Sequence, residues 1–260
     1  FDEELKDSSL KDSFLYGRAR SLSKLGRSEE ALILYDQAVS QFPQSELLPE
    51  ISFWKAETLY NLTRFQESAD LYEALARRFP TSDLLDDIHY NLGWVYVALK
   101  DPDRAMEHFR IVEEDSNNEI LKVGAICRIA DTHLEKGELE KALEEYDKVL
   151  KDTPKSFYSD YAQYQSATTL LRLGRIDSAI LSFQSLLVNF PDSHFQAEAL
   201  YRLGAALMQK ERFPEATEQF QKLMSRFPES TLRERAYFQI GLCIFGRQDS
   251  FFDDTPMRSG

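Results

Sequence analysis

Residues 197–230 read AEALYRLGAALMQKERFPEATEQFQKLMSRFPES and contain most of one unit of a repeat that runs along the chain. The end of this unit is marked by a proline, and equivalent prolines follow one another at intervals of 37, 74, 37 and 37 residues. They are Pro43, Pro80, Pro154, Pro191 and Pro228. Because 74 is twice 37, six units follow without insertion, and the skipped midpoint is Asn117. Such a period predicts a solenoid of stacked helical units.

The repeats are numbered so that the marker proline stands at position 32. The residues that share a repeat position form a column, and three columns have a clear packing role. Position 8 is small in every unit, position 20 is Ala or Ser, and position 24 is always Tyr or Phe. Two helices that cross closely need small side chains at the contact, and a ring four residues further on fills the space beside it. The columns are Ala19, Ala56, Gly93, Ala130, Ala167, Gly204 and Gly241; Ala31, Ser68, Ala105, Ala142, Ala179 and Ala216; and Tyr35, Tyr72, Phe109, Tyr146, Phe183 and Phe220.

Turn residues fall between the two helices of each unit, called helix A and helix B. Glycines at position 15 predict a left-handed residue at the end of helix A, and prolines start helix B in two units. Serines two residues after the marker proline are expected to cap the next helix A. In the third unit the marker is replaced by residues 115–118, DSNN, for which we expect the same path with a looser end.

The composition limits the classes of function that the chain can have. The chain has 260 residues and a net charge of −13, without the basic run that nucleic-acid binding requires. Its acidic clusters are compatible with a solvated surface or with attraction of a basic partner. No apolar run approaches the length of a membrane span. Cys127 and Cys243 lie in distant units, so they are not expected to pair. The chain begins with Phe1, which predicts a fragment or a processed product.

The repeat columns resemble those of the tetratricopeptide repeat over residues 12–245, although the ordinary unit has about 34 residues. The stretch 197–230 is similar to periplasmic Tol–Pal-associated repeat proteins and to outer-membrane assembly lipoproteins of the BamD type. The C-terminal stretch AYFQIGLCIFGRQDSFFDDTP, residues 236–256, resembles the latter. This resemblance implies an all-α, right-handed superhelix and a role as an adaptor in a bacterial envelope, periplasmic or outer-membrane-associated, with a cytoplasmic location as the alternative.

In the family, helix A lines a concave groove, chiefly through positions 2, 5, 9, 12 and 13. Position 5 is aromatic in six of seven helices here, and Trp94 interrupts an otherwise non-aromatic position 9. Such rings could grip a peptide, since Tyr and Trp anchor interfaces, or could pack against the neighbouring helix. The predicted partner-binding residues are Phe53, Tyr60, Tyr90, Trp94, Tyr161, Tyr164 and Tyr201.

Other kinds of site find little support. Capture of a peptide carboxylate would need Lys and Asn where this groove is aromatic or acidic. The four histidines fall at different repeat positions, on different predicted faces, and His133 does not clearly join Cys127 and Asp131. We therefore expect no metal, no cofactor and no catalytic residue.

The predicted organisation is a lead-in segment over 1–11, six units over 12–233, a seventh helix A over 234–246 and an acidic tail over 247–260. The last helix would lack its partner helix, which leaves Ile240, Leu242, Ile244 and Phe245 partly exposed. Either the native protein continues or this end packs against another chain. The predicted function is a non-enzymatic scaffold that binds a protein segment; the alternatives are a self-assembling module and a structural domain of a larger protein.

Overall fold

The structure, a computed structural model, describes residues 8–253, with side chains from residue 10 to residue 245. The described residues form thirteen α-helices and no β-strand. The chain divides into two compact units, residues 1–128 and 129–260, and the division falls within the seventh helix. The helices are α1 (Ser8–Lys24), α2 (Ser28–Gln41), α3 (Leu48–Asn61), α4 (Phe65–Arg78), α5 (Leu85–Ala98), α6 (Pro102–Asp115), α7 (Glu119–Glu135), α8 (Leu139–Asp152), α9 (Ser159–Arg172), α10 (Ile176–Asn189), α11 (Gln196–Gln209), α12 (Phe213–Arg226) and α13 (Arg233–Asp253).

Odd-numbered helices are the helices A of the repeat, and even-numbered helices are the helices B. In the first compact unit, consecutive helices from α1 to α6 pack on one another. In the second compact unit, consecutive helices from α8 to α13 do the same. Neighbours in sequence are therefore neighbours in space. This arrangement confirms the predicted all-α solenoid of helix pairs. None of the described helices combines the length and the apolar composition needed to cross a bilayer.

The small residues and rings of the repeat form the core. Ala19 and Ala31 are fully buried in one cluster with Tyr35, and the six rings at position 24 are all fully buried. Gly93 and Gly204 come closest to these rings: a Cβ atom on Gly93 would lie 2.4 Å from the Phe109 ring. The predicted packing of small residues against position 24 is thus confirmed, and at Gly93 it leaves no room for a methyl group.

Every helix A with a following helix B ends in the same backbone motif. In the first repeat the N–H of Arg27 donates to the carbonyl of Leu22 across 2.9 Å, and the residue before it, Gly26, has φ of +76°. This is the glycine-ended Schellman motif that position 15 predicts. Three repeats make the same turn without glycine: Thr63, Lys100 and Glu211 have φ values of 60°, 59° and 58°.

Replacing Thr63 with glycine is expected to raise the free energy of unfolding by about 0.5–1 kcal/mol. The left-handed conformation costs a residue with a Cβ about 1–2 kcal/mol, and the larger unfolded-state entropy of glycine offsets part of that gain. Urea denaturation measures the change. The reverse substitution, Gly26→Thr, is the control and should lower the free energy of unfolding. A Thr63→Gly protein no more stable than the parent would contradict the strain.

The serines after the marker prolines do not cap helix A as predicted. The Oγ of Ser45 accepts a hydrogen bond from the N–H of Leu47 (3.1 Å), and α3 begins only at Leu48. The same hydroxyl donates to Asp12 Oδ2 across 2.5 Å. Serine therefore stabilises the turn before the helix, and it ties the end of a repeat to that repeat's first residue.

The third repeat does not end loosely. Helix α7 begins at Glu119, three residues earlier than the period requires, because Asn118 caps it. The Oδ1 atom of Asn118 accepts from the N–H groups of Ile120 and Leu121 at 3.1 and 3.3 Å. Ser116 still donates to Asp86 across 2.6 Å, so the hydrogen bond between the end of the repeat and its first residue is kept. The DSNN stretch thus shortens the turn and extends the helix.

The last helix is longer than predicted. Helix α13 runs to Asp253, beyond the expected end at residue 246, so residues 247–253 of the predicted tail are helical. The rest of the predicted tail, residues 254–260, and residues 1–7 of the predicted lead-in segment lie outside the described residues. Leu242, Ile244 and Phe245 are exposed as predicted, and Ile240 is partly exposed as predicted while its buried side packs against the core.

Candidate protein-binding face

The aromatic column at position 5 is anchored by the helix B that follows. Tyr90, Tyr164 and Tyr201 each contact the position-24 ring of their own repeat, with centroid separations of 5.6, 6.2 and 5.7 Å. The three tyrosines are only half-buried. Each ring is therefore held by packing while part of its surface stays exposed, which is compatible with both roles that the sequence leaves open.

Two of the predicted binding residues lie elsewhere. Phe53 is 6% exposed and is packed between Trp54 and Tyr72, so it belongs to the core and offers no surface to a ligand. Tyr60 is half-buried against Phe65, the first residue of its own helix B (5.3 Å). Position 12 therefore faces helix B, where Tyr60 contributes to the pair interface.

Arginines stacked on rings form a part of the face that the sequence pattern does not predict. In the first unit the guanidinium of Arg20 lies 3.4 Å from the centroid of Trp54, and that of Arg128 lies 5.2 Å from Trp94. Both pairs join position 9 of one helix A to position 6 of the next. A cation over an aromatic face is attracted by the ring quadrupole. In the sequence, the Arg and Trp of each pair are 34 residues apart. Because this spacing differs from the period of 37 residues, an alignment of the repeats does not place the two residues at the same position.

The second unit carries a similar set. The ring of Tyr164 stacks on Phe195 at 4.6 Å, and the Nε of Arg202 donates to the Tyr164 hydroxyl across 2.8 Å. Arg235 lies over Tyr201 at 5.1 Å. We call the half-buried rings on successive helices A or directly before them, together with the guanidiniums beside these rings, the helix-A face. Its members are Tyr16, Arg20, Trp54, Tyr90, Trp94 and Arg128 in the first unit, and Tyr164, Phe195, Tyr201, Arg202 and Arg235 in the second.

Carboxylates beside the helix-A face are held by tyrosines. Glu57 accepts from the hydroxyl of Tyr72 (2.9 Å) and from Asn91 (3.0 Å), and burial raises the pKa of its carboxyl group. In the second unit Asp131 accepts from Tyr146 and, at 2.7 Å, from Tyr161. The predicted binding residue Tyr161 therefore has its hydroxyl engaged within the protein, so it positions neighbouring side chains.

Two histidines that the repeat positions assign to different faces meet between α5 and α6. The Nδ1 atoms of His89 and His108 are 3.1 Å apart, and the ring of Tyr96 stacks on His108 at 5.4 Å. Burial lowers the pKa of His89 and lowers that of His108 to about 4. Positions 4 and 23 lie on different helices, and only the packing of helix A on helix B brings them together.

The described residues contain no group of three or more His, Cys, Asp and Glu side chains that could hold a metal ion. His133 forms a 2.6 Å contact with Glu138. Cys127 and Cys243 are both buried, and within the described part of the chain neither forms a disulfide bond.

Comparisons with known proteins agree with this geometry. A family model described as tetratricopeptide repeat matches residues 16–83 and 53–119, and one described as outer membrane lipoprotein matches residues 122–243. No curated protein matches the chain significantly. The repeats of the first half are thus similar to the tetratricopeptide repeat, and the second half is similar to the outer membrane lipoprotein family.

Solved structures share the fold at low sequence identity. A tetratricopeptide repeat protein from Parabacteroides merdae is 16% identical, with a TM-score of 0.57, over 93% of this chain and 88% of that one. PilW, a widely conserved type IV pilus biogenesis factor, is 17% identical (TM-score 0.63; 87% and 98%). YrrB, a repeat protein with an unusual peptide-binding site, is 17% identical (TM-score 0.55; 78% and 97%). Identities this low show the fold alone.

Proposed function

We propose that this protein is a non-enzymatic scaffold that holds a segment of a partner protein along its helix-A face. The observation that carries the proposal is the succession of arginine and ring pairs on consecutive helices A, present in both compact units. Trp, Tyr and Arg dominate the binding energy of protein interfaces. Rings that are already fixed by packing lose little conformational entropy when a ligand covers them.

The charges on the face favour a segment that supplies hydrogen-bond acceptors. Arg202 and Arg235 are exposed, and within the described part of the chain neither forms an ion pair with a carboxylate. Backbone carbonyls or acidic side chains of a bound segment would satisfy their remaining N–H groups. The basic partner expected from the net charge therefore stays a prediction that rests on the charge alone.

A place in the bacterial envelope is part of the proposal. It is supported by the match of residues 122–243 to the outer membrane lipoprotein family and by the fold shared with PilW, which is a type IV pilus biogenesis factor. We favour a periplasmic or outer-membrane-associated location over a cytoplasmic one. Fractionation of the source cells, with the protein detected by antibody, tests the location separately from binding.

Replacing Trp94 and Arg202 together with alanine is expected to weaken partner binding at least about tenfold, because each substitution removes an interface anchor from one unit. The immobilised protein is first used to capture partners from an envelope extract. The dissociation constant of the captured protein is then measured by biolayer interferometry against the parent and the variant.

The matched control replaces Leu181 and Val188 with alanine, since both are exposed on helix B and lie off the helix-A face. The control should bind like the parent, and circular dichroism should show that both variants remain folded at the temperature of the binding measurement. Equal loss of affinity in the control and in the Trp94/Arg202 variant would refute the proposed face.

A further inference from the structure

Two histidines contact each other at the crossing of α5 and α6. The Nδ1 atom of His89 lies 3.1 Å from that of His108, and both rings are half-buried. A neutral imidazole has one N–H donor and one acceptor nitrogen, so one Nδ1 can donate to the other. A charged imidazolium donates from both nitrogens, so two charged rings would direct N–H groups at each other. The contact therefore requires that at least one of the two histidines is neutral.

The surroundings of the pair favour the neutral forms. The charged side chains that act on it are Glu73 on α4, Asp86 on α5, and Arg104, Glu107 and Asp115 on α6. The carboxylates favour a charged histidine, but burial outweighs them, because the pKa of each histidine is lowered. Tyr96 stacks on His108, and its hydroxyl donates to Glu73 and accepts from Arg104 at 3.2 Å. Glu73 is therefore already engaged in a hydrogen bond with Tyr96.

The same crossing supports the helix-A face. Tyr90 follows His89 on α5, and Phe109 follows His108 on α6. The Phe109 ring is fully buried and holds Tyr90 and Trp94 edge-on at 5.6 and 6.2 Å. Because protein interiors are close-packed, two helices cannot separate at one pair of side chains and keep the contacts of the next pair. A displacement of the histidine rings is therefore transmitted to Tyr90 and Trp94.

The fifth repeat makes the same crossing without a histidine. Gln163 and Ser182 stand at the repeat positions of the two histidines, 4 and 23, and the Nε2 of Gln163 donates to the Oγ of Ser182 across 2.6 Å. The rings that follow them, Tyr164 and Phe183, are also in contact, at 6.2 Å. An uncharged hydrogen bond is therefore sufficient at this crossing, and the histidines of the third repeat add a dependence on pH.

We propose that the histidine pair is an acid-sensitive element that loosens the helix-A face of the first unit and releases a bound segment. Release of a segment rests on the proposed function, to which the pair adds the condition that ends binding. When both histidines are protonated, their like charges repel, α5 and α6 separate at the crossing, and Tyr90 and Trp94 lose the support of Phe109. In the separated state the rings regain the pKa of an ordinary histidine, about 6.5, so acid favours that state.

The first test follows Trp94 in the Trp54→Phe protein, where it is the only tryptophan of the chain. Fluorescence is recorded without a partner as the pH is lowered towards 4, while circular dichroism monitors the helices. The expected result is a reversible shift of the emission to longer wavelength at unchanged helix content. Replacing the pair by that of the fifth repeat, His89→Gln with His108→Ser, should remove the shift, and so should His108→Gln alone. His194→Gln is the control, since this histidine is exposed, and it should shift like the parent.

The second test measures the dissociation constant of the protein captured from the envelope extract, at neutral pH and at about pH 4.5. The parent should lose at least about threefold more affinity than the double variant, because acid lowers the fraction of the parent that is competent to bind. Equal loss in both proteins would overturn the proposal. So would a Trp94 emission that ignores acid or responds equally in the double variant. Failure to capture any partner would instead refute the proposed function, and the fluorescence would still decide whether the face responds to acid.

Discussion

Replacing Gly93 with alanine is expected to lower the free energy of unfolding by about 2–3 kcal/mol, because overpacking of a filled core costs about 1–3 kcal/mol. The new methyl group would meet three atoms of the Phe109 ring at 2.4, 2.5 and 2.7 Å. The ring is fully buried, and Tyr90 and Trp94 hold it edge-on at 5.6 and 6.2 Å, so it has little freedom to move aside. Urea denaturation followed by circular dichroism measures the change.

Gly241→Ala is the matched control for this prediction. It stands at the same repeat position, but no atom of the described part of the chain lies within 4 Å of its Cβ position. Alanine should therefore leave stability unchanged or raise it by up to about 1 kcal/mol through its higher helix propensity. If Gly93→Ala unfolds at the same denaturant concentration as Gly241→Ala, the packing of the Phe109 ring does not require glycine at position 93. A smaller residue at 109, as in Gly93→Ala with Phe109→Leu, should recover part of the loss.

Acidification from pH 7 to pH 5 is expected to destabilise the α5–α6 pair by about 1–2 kcal/mol through His108, a magnitude that allows for solvent screening at a half-buried ring. Burial lowers the pKa of His108 to about 4, while an unfolded histidine titrates near 6.5. The unfolded chain therefore binds more protons between these two values, and stability falls as the pH drops through that window. His89 adds to the effect in the same direction, because its pKa is also lowered.

The measurement compares chemical denaturation of the parent and of His108→Gln at several pH values. Glutamine keeps a polar side chain but does not titrate, so the slope of stability against pH should decrease in that variant. His194→Gln is the control, since this histidine is exposed and lies outside the α5–α6 pair. Identical slopes for the parent and His108→Gln would show that the histidine pair has no part in the pH dependence.

The repeat columns predict the helical core correctly because they describe contacts that recur in every unit. Small residues at positions 8 and 20 and rings at position 24 are required wherever helix A meets helix B, so they leave a periodic trace. Local exceptions are harder to predict. The DSNN stretch indicates a looser end of α6, yet Asn118 caps α7 three residues early. A cap depends on the hydrogen bonds of one side chain, which a period of 37 residues does not reveal.

The sequence predicts the members of the proposed binding face only in part. Tyr90, Trp94, Tyr164 and Tyr201 lie on the helix-A face, whereas Phe53 is buried. Position 5 is aromatic in six of seven helices A, but the exposure of each ring depends on the neighbouring side chain. The large ring of Trp54 helps to cover Phe53, and the sequence carries no indication of that contact.

The sequence by itself determined that the chain is a solenoid of helix pairs, because burial of small residues and rings at a fixed interval can be satisfied only when each unit packs on the next. The tertiary structure alone decided which side chains meet between helices. Arg128 joins Trp94, and His89 joins His108, because the crossing of the helices sets the distances between positions that are remote in sequence. The histidine pair occurs once, and the arginine–tryptophan pairs are 34 residues apart, so neither contact follows the period of 37 residues.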